Sequence, residues 1–383
     1  MPEPKSVLVT GAGLSGAVVA RELAEAGHHV TVIDERDHVA GNCHTSRDPE
    51  TGVMVHHYGP HIFHTGDNQV WDYVNRFAVM MPYRHQVKAR VRDQVYALPI
   101  NLHTINQFFG RAMDPAQARA FIAAQCVDAE PVSFEDQGLA CVGPALYAAF
   151  FRDYTRKQWG VDPARLPASI LKRLPLRFTY DDNYFAHPYQ AIPRDGYTAM
   201  VQAMLAHPGI ELRLGTSAET VTRVFDHQVY TGPLDRFFGH RLGRLGYRTL
   251  RFEHERVPAP WQGTAVMNYC DADVPHTRIT EHMYFAPWEM ARFTRSVITR
   301  ETSAQAGPGD IPYYPVRLLD DKTLLARYQA LARHTQGVTF LGRLGTYAYL
   351  DMDVAIRKAL DASAHLLQAF AQEARPDVFP DAA

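Results

Sequence analysis

Six residues near the N-terminus, Gly11-Ala12-Gly13-Leu14-Ser15-Gly16, leave this chain few ways to fold. Ahead of them, Val7-Leu8-Val9-Thr10 reads as a short strand buried on both faces. Behind them, Ala17 to Ala26 sets Val18, Val19 and Leu23 on one helical stripe, and Gly27 supplies a left-handed end. Val30-Thr31-Val32-Ile33 is a second strand, closed by Asp34. In such a β-α-β unit the three glycines do different things. Gly11 permits the tight turn, Gly13 lets a pyrophosphate approach the backbone, and Gly16 lets helix and strand pack closely. The free N–H groups of the first helical turn, at Leu14 and Ser15, suit phosphate oxygens. Asp34, about twenty positions after the first glycine, suits a ribose hydroxyl. These features predict a dinucleotide site. The run Asp34-Glu35-Arg36-Asp37-His38-Val39-Ala40-Gly41-Asn42 extends it as FAD enzymes do, with Glu35, Arg36, Gly41 and Asn42 along the cofactor. A late Gly342-Arg343-Leu344-Gly345 resembles their C-terminal flavin-contacting turn. No second glycine fingerprint follows that would mark an NADPH domain, so FAD is expected over NAD.

The 383 residues suit two to three domains. With 46% hydrophobic and 21% charged residues, wholesale disorder is excluded, and a net charge of −2 offers nothing to a nucleic acid backbone. No apolar run approaches the length of a membrane span and the start lacks a secretory core, so a cytoplasmic protein is expected. Four cysteines without a C-x-x-C pair predict neither a disulfide framework nor a cysteine zinc site. A loop-like stretch runs to about Thr65, and a mainly helical region follows from Asn101 to Trp159. Helix starts are read at Asn101, at Asp114-Pro115 and at the capping pair Ser133 and Asp136. Gln228–Thr231, Arg248–His254 and Thr264–Tyr269 are spaced like strands of an antiparallel sheet. Val338–Leu341 reads as a strand entering a turn, and a helix from Asp353 to about Ala374 closes the chain. The expected architecture is α/β. A Rossmann-type FAD domain is assembled from residues 1–80, about 190–232 and 326–383. It carries a mainly helical domain (81–178, with a mobile loop at about 160–175) and an antiparallel sheet that bears the substrate site (179–325).

Two clusters are ambiguous from spacing. His56, His57, His61 and His64 crowd together, but Gly59-Pro60 breaks any helical face and no carboxylate or cysteine stands beside them. No metal is expected there, and His64 is read as structural. Phe150 with Tyr154, and Thr155 with Trp159, are four residues apart, which on a helix gives either an aromatic core stripe or a wall for a flat base.

Several further motifs occur in order: Tyr58-Gly59-Pro60-His61-Ile62-Phe63-His64-Thr65, Arg156-Lys157-Gln158-Trp159-Gly160, Leu166-Pro167-Ala168-Ser169 and Tyr180-Asp181-Asp182-Asn183-Tyr184-Phe185. They continue as Tyr230-Thr231-Gly232-Pro233, Tyr313-Tyr314-Pro315 and Tyr347-Ala348-Tyr349-Leu350-Asp351-Met352-Asp353. With these, nearly the whole chain resembles the bacterial UDP-galactopyranose mutases, departing at Ala40, where that family tends to have a second glycine. The resemblance implies an isomerase that converts UDP-galactopyranose to UDP-galactofuranose for surface glycans, without net redox change but with its FAD reduced. The flavin N5 would attack the anomeric carbon and displace UDP.

The resemblance also assigns residues. Arg173 and Arg278 would grip the diphosphate, Arg173 from a mobile loop, joined by Tyr184, Tyr314 and Tyr349 as phenol donors. Asp351 and Arg248 would stand nearby. Phe150 or Tyr154 would stack on uracil beside Thr155 and Trp159, with Asn268 facing its edge. His61 would lie against the flavin as a cationic or donating imidazole, and Ile62, Arg343, Tyr349, Asp351 and Met352 would line the cofactor. A homodimer is the family expectation. Two other readings share the FAD fingerprint: an oxidoreductase of the amine-oxidase or monooxygenase type, and a non-catalytic binder of FAD or a UDP-sugar.

Overall fold

A computed structural model describes residues 3–127, 130–173, 176–316 and 321–380, with the side chains of residues 172, 173 and 321 outside the described set. The N-terminal β-α-β unit is β1 (Ser6–Thr10), α1 (Leu14–Glu25) and β2 (His29–Ile33). Val7 and Val9 are fully buried, as a strand covered on both faces requires. The helix begins at Leu14, so the last residues of the glycine motif already form its first turn. Three later strands complete a five-stranded parallel sheet: β10 (Ile210–Arg213), β11 (His227–Tyr230) and β17 (Val338–Phe340), in the order β10-β2-β1-β11-β17. Thus β11 lies beside β1, with Leu8 opposite Gln228, and not among the antiparallel strands with which its spacing had grouped it. Local spacing cannot reveal a partner more than two hundred residues away.

Helix α11 (Met352–Ala371) crosses this sheet against α1. Ala17 and Ala20 on one helix and Ala359 and Ala362 on the other are fully buried, and their small side chains permit close approach. The turn at 342–345 is one helical turn, α10 (Gly342–Gly345). On the sheet's other side, α8 (Leu234–Phe237) and α9 (Asp321–His334) enclose Tyr328 and Phe340.

The second large sheet has seven strands. They are β7 (Val87–Val91), β8 (Gln94–Leu98), β12 (Tyr247–Pro258), β13 (Val266–Tyr269), β14 (Arg278–Glu281), β15 (Arg295–Gln305) and β16 (Tyr314–Pro315), in the order β16-β12-β15-β14-β13-β7-β8. All neighbours are antiparallel except β13 and β7. The hairpin β7–β8 therefore joins this sheet, although it falls in the stretch expected to be mainly helical. Two smaller sheets are β3 (Thr45–Arg47) with β4 (Met54–His56), and β5 (Phe63–Thr65) with β9 (Tyr189–Pro193) and β6 (Met80–Pro82).

The helical part holds α3 (Leu102–Phe109), α4 (Pro115–Ala123), α5 (Phe134–Leu146) and α6 (Asp153–Trp159), while α2 (Asn68–Asn75) and α7 (Gly196–Leu205) flank the parallel sheet. Asn101 caps α3, and full capping boxes start α4 at Asp114 and α5 at Ser133, as their sequences require. Between α5 and α6, Tyr147–Arg152 forms a wider π-turn. All four cysteines are free. Among the described residues no helix is long and apolar enough to cross a membrane.

Candidate active site

The glycine turn is tight for measurable reasons. Gly11 has φ +109°, and a Cβ there would lie 2.0 Å from the Thr231 hydroxyl oxygen. A Cβ on Gly16 would lie 1.9 Å from the Gly11 carbonyl oxygen, so helix and strand touch only because both are glycine. Gly13 precedes α1 without a side-chain cap, leaving the N–H groups of Leu14, Ser15 and Gly16 with no helical partner. A Cβ on Gly41 would come within 3.3 Å of the Gly13 Cα, which keeps the approach to that helix end open. The Asp34 carboxylate accepts from the N–H groups of Ala12 (2.8 Å) and Arg36 (3.0 Å), and keeps lone pairs for a ribose. Arg36 donates to the Asn42 side-chain oxygen (2.8 Å), lies over the Tyr58 ring (4.7 Å), and leaves Nη1 buried without a partner. Glu35 is exposed and pairs with Arg236 (2.6 Å). Ala40, where a glycine was noted as missing, itself adopts the left-handed conformation, with φ 74° and ψ 0°.

The C-terminal segment closes the cradle. A Cβ on Gly342 would meet the Ser15 hydroxyl at 3.2 Å, and one on Gly345 the Tyr230 carbonyl at 2.8 Å, which docks α10 on the ends of the sheet. Arg343 donates to the Leu350 carbonyl (2.6 Å) and lies over the rings of Tyr314 (5.5 Å) and Tyr349 (5.0 Å). Met352 receives the Cys43 thiol (3.6 Å), and Ile62 is buried in an apolar cluster. Uncapped helix N–H groups, an unpartnered guanidinium nitrogen and a glycine-lined opening fit the phosphates and ribose of FAD.

His61 overturns one expectation. Burial pushes its imidazole down to about 4, and Arg343 and Arg278 add to that, so the ring is neutral at pH 7. Its Nδ1 lies 2.9 Å from the Gly59 carbonyl oxygen. A carbonyl only accepts, so Nδ1 carries the proton and Nε2 presents a lone pair. The imidazole is an acceptor here, neither cationic nor donating at that nitrogen.

The second half of the site follows from strand register. Asn268 in β13 stands opposite Arg278 in β14, which stands opposite Glu301 in β15. Residues directly opposite share a face, about 5 Å apart. Glu301 is 2% exposed, with a carboxylate oxygen 3.1 Å from Arg278 Nε. Burial works against the guanidinium charge, yet Glu301 and the surrounding phenols carry the Arg278 pKa above its ordinary value, so the cation persists. Burial also pushes the Glu301 carboxyl up, against the pull of Arg278. Around this cation stand Tyr154, Tyr184 and Tyr314, their phenols raised by burial and so protonated donors. Tyr314 and Tyr349 stack, with centroids 5.6 Å apart. Asp351 precedes α11 as its N-cap, and together with Tyr349 it raises the Tyr184 phenol. The Asn268 amide oxygen is buried without a hydrogen-bond partner, and Arg278 Nε and the Glu301 oxygen face each other as an ion pair without hydrogen-bond alignment. An unpartnered group of this kind costs about 1–3 kcal/mol unless a ligand meets it.

Other expected residues serve elsewhere. Phe150 packs in the helical core against Tyr96 (5.2 Å) and Phe108 (5.6 Å). Phe150 lies in the π-turn, and Tyr154 in the α6 that follows it. Arg248 is 3% exposed and donates to the Gln158 carbonyl (3.0 Å), the Ser303 hydroxyl (3.1 Å) and the Lys157 carbonyl (3.4 Å), which makes it a staple rather than a substrate ligand. Gly160 must be glycine for that guanidinium to fit: a Cβ would lie 2.4 Å from it. Lys157 clamps α6 onto the connection between β13 and β14 through the carbonyls of Tyr269, Asp271, Val274 and His276. The Arg156–Gly160 motif thus fixes the helix that carries Tyr154, with Thr155 buried and Trp159 packed on the helical core. Arg173 ends a short helix, Ala168–Arg173, and its side chain lies outside the described residues. Glu301 is a residue beside this cation that the sequence does not single out, while Thr231 and Tyr58 lie in motifs that gave them no role of their own. A charge facing inward on a strand was the one signal for Glu301, and only register reveals it.

Comparison with known proteins gives the family and the fold. A family model described as UDP-galactopyranose mutase matches residues 149–349, and one for an NAD(P)-binding Rossmann-like domain matches 9–77. The chain is 52% identical over 98% of its length to a protein named probable UDP-galactopyranose mutase from Klebsiella pneumoniae, covering 98% of that protein. It is 48% identical over 93% of its length to a dTDP-fucopyranose mutase from Escherichia coli, covering 97% of it. Among solved structures, a reduced UDP-galactopyranose mutase superposes with a TM-score of 0.74 at 16% identity, over 95% of this chain and 96% of that one, which shows a shared fold.

Proposed function

The chain belongs to the UDP-galactopyranose mutase family of flavin-dependent enzymes, and we propose that it interconverts UDP-galactopyranose and UDP-galactofuranose on reduced FAD, supplying galactofuranose for surface glycans. The glycine turn, Asp34 and Arg36 would hold the FAD, which when reduced would supply a nucleophilic nitrogen beside the anomeric carbon. The chain's own residues do the rest. Arg278 neutralises the diphosphate as negative charge develops on the leaving oxygen, and Tyr184, Tyr314 and Tyr349 complete its donor set. Phenols suit this work because they are neutral and rigid, and they hold their protons in this buried setting. Glu301 positions Arg278 from the neighbouring strand. Asn268 and Tyr154 take the uridine, and Arg173 adds a second cation from its loop. Closure over the sugar would exclude water from the activated anomeric carbon.

The observation that carries this reading is a buried guanidinium, held by one misaligned carboxylate and ringed by protonated phenols on the face where three strands meet. The test is chromatography of the products from the FAD-loaded protein with UDP-galactofuranose, oxidised and after dithionite, with dTDP-fucopyranose as a competing substrate. UDP-galactopyranose formed only on reduction is expected, and faster than the dTDP sugar turns over. Equal turnover in both redox states, or stoichiometric consumption of NADPH or oxygen, would overturn it.

A further inference from the structure

We propose that His64, His187 and Asp353 form a binding site for one zinc-class divalent cation, a site separate from the flavin and sugar machinery and independent of the function proposed above. The three residues come from distant parts of the chain. His64 lies in β5, His187 in the loop ahead of β9, and Asp353 in the first turn of α11. Strand pairing sets His64 opposite Gln190, and the Gln190 side chain donates to the His187 carbonyl (2.8 Å), which folds that loop back beside His64. One ligand atom from each of the three side chains lies within 4.8 Å of the other two.

The chemistry of the set points to a metal. The two imidazole Nδ1 atoms face each other 2.8 Å apart. Asp353 is 8% exposed, and its Oδ1 is buried with no hydrogen-bond partner. A carboxylate oxygen in that condition needs a donor or a cation, and two imidazole nitrogens share its surroundings. Two nitrogens and one carboxylate oxygen suit Zn²⁺, whereas Mg²⁺ and Ca²⁺ prefer oxygen alone. At metal–nitrogen bonds of about 2.0–2.1 Å, tetrahedral geometry separates the nitrogens by roughly 3.3 Å, so the rings need open by about half an ångström. His64 is held by stacking on Phe185, with centroids 3.8 Å apart, while the exposed His187 is free to make that adjustment and leaves room for a water as fourth ligand. A bound cation would tie the start of α11, just beyond Tyr349 and Asp351, to the β5–β9 sheet. It would stiffen a segment that serves the catalytic site without touching the reacting groups.

The test uses FAD-loaded protein stripped with a chelator, titrated calorimetrically with zinc alone and spectroscopically with cobalt. One zinc per chain is expected, with the visible bands of four-coordinate cobalt and a raised thermal midpoint. His187→Ala and Asp353→Asn should each weaken binding at least about tenfold, while His103→Ala, an exposed histidine elsewhere, should not. Because His187 is exposed, its variant carries the test even if Asp353→Asn fails to fold. No stoichiometric binding, or equal zinc affinity in wild type and His187→Ala, would overturn the proposal and leave the two histidines sharing a proton.

Discussion

Lowering the pH from 7.5 to 5.0 should lower the folding stability of this protein by several kcal/mol at most, through its buried histidines. Burial pushes His56 and His85 down to about 3, and His61 and His227 to about 4. An unfolded imidazole titrates near 6.5. The folded pKa is depressed, so the stability each group contributes is fully present above pH 6.5 and is lost as pH falls toward the folded value. At pH 5.0 an unfolded imidazole is protonated at a gain of about 2 kcal/mol, and the four gains do not simply add, because His61 and His85 themselves help to lower His56. Glu22 and Glu301, both raised by burial, bind protons first in the folded state and return a part of this. Asp48 is lowered, chiefly by its hydrogen bond from Arg256, so its contribution fades only below the ordinary carboxylate range, outside this window. Urea unfolding of the FAD-loaded protein at steps from pH 7.5 to 5.0 measures the effect. In His227→Gln, whose site keeps a partner in the Thr339 hydroxyl (3.0 Å from Nε2), the slope should fall by about one proton. A stability that is flat or rising over this interval would refute the reasoning.

Other outcomes follow from the same geometry. Ala40→Gly should raise stability by about 0.5–1 kcal/mol, because relief of a left-handed alanine outweighs the added chain entropy of glycine; differential scanning calorimetry reads this as a higher midpoint. Gly16→Ala should purify with little flavin per chain, since its Cβ would meet the Gly11 carbonyl; full flavin occupancy would contradict the cradle. Arg278→Lys should keep its flavin but lose on the order of 10²–10³ in kcat, the cost of removing one donor aimed at developing charge. Steady-state kinetics of the reduced protein checks this, and a change confined to KM would place Arg278 on the ground state alone.

Much of this was legible where the determinants are local. The glycine turn, the strand and helix around it, and the caps at Asn101, Asp114 and Ser133 each rest on a handful of consecutive residues, and each formed as its sequence requires. What stayed hidden depends on register or on distant pairing. Nothing in the order of residues tells that Asn268, Arg278 and Glu301 fall in one row, because that needs the pairing of three strands. The π-turn that carries Phe150 left no signal in the spacing of its aromatic residues. Arg248 was placed near the site by the family resemblance, and the carbonyls that hold it come from a different element, α6. His64 was set aside as a metal ligand for want of a carboxylate nearby, and the structure supplies Asp353 from the far end of the chain.

The central claim concerns where the nucleotide sugar rests. A crystal structure of the reduced, FAD-loaded protein with UDP-galactopyranose tests it most directly. The diphosphate should lie within hydrogen-bond distance of Arg278 and the Tyr314–Tyr349 pair, with the anomeric carbon about 3–3.5 Å from the flavin N5. A diphosphate bound away from Arg278, or an anomeric carbon out of reach of that nitrogen, would contradict the account.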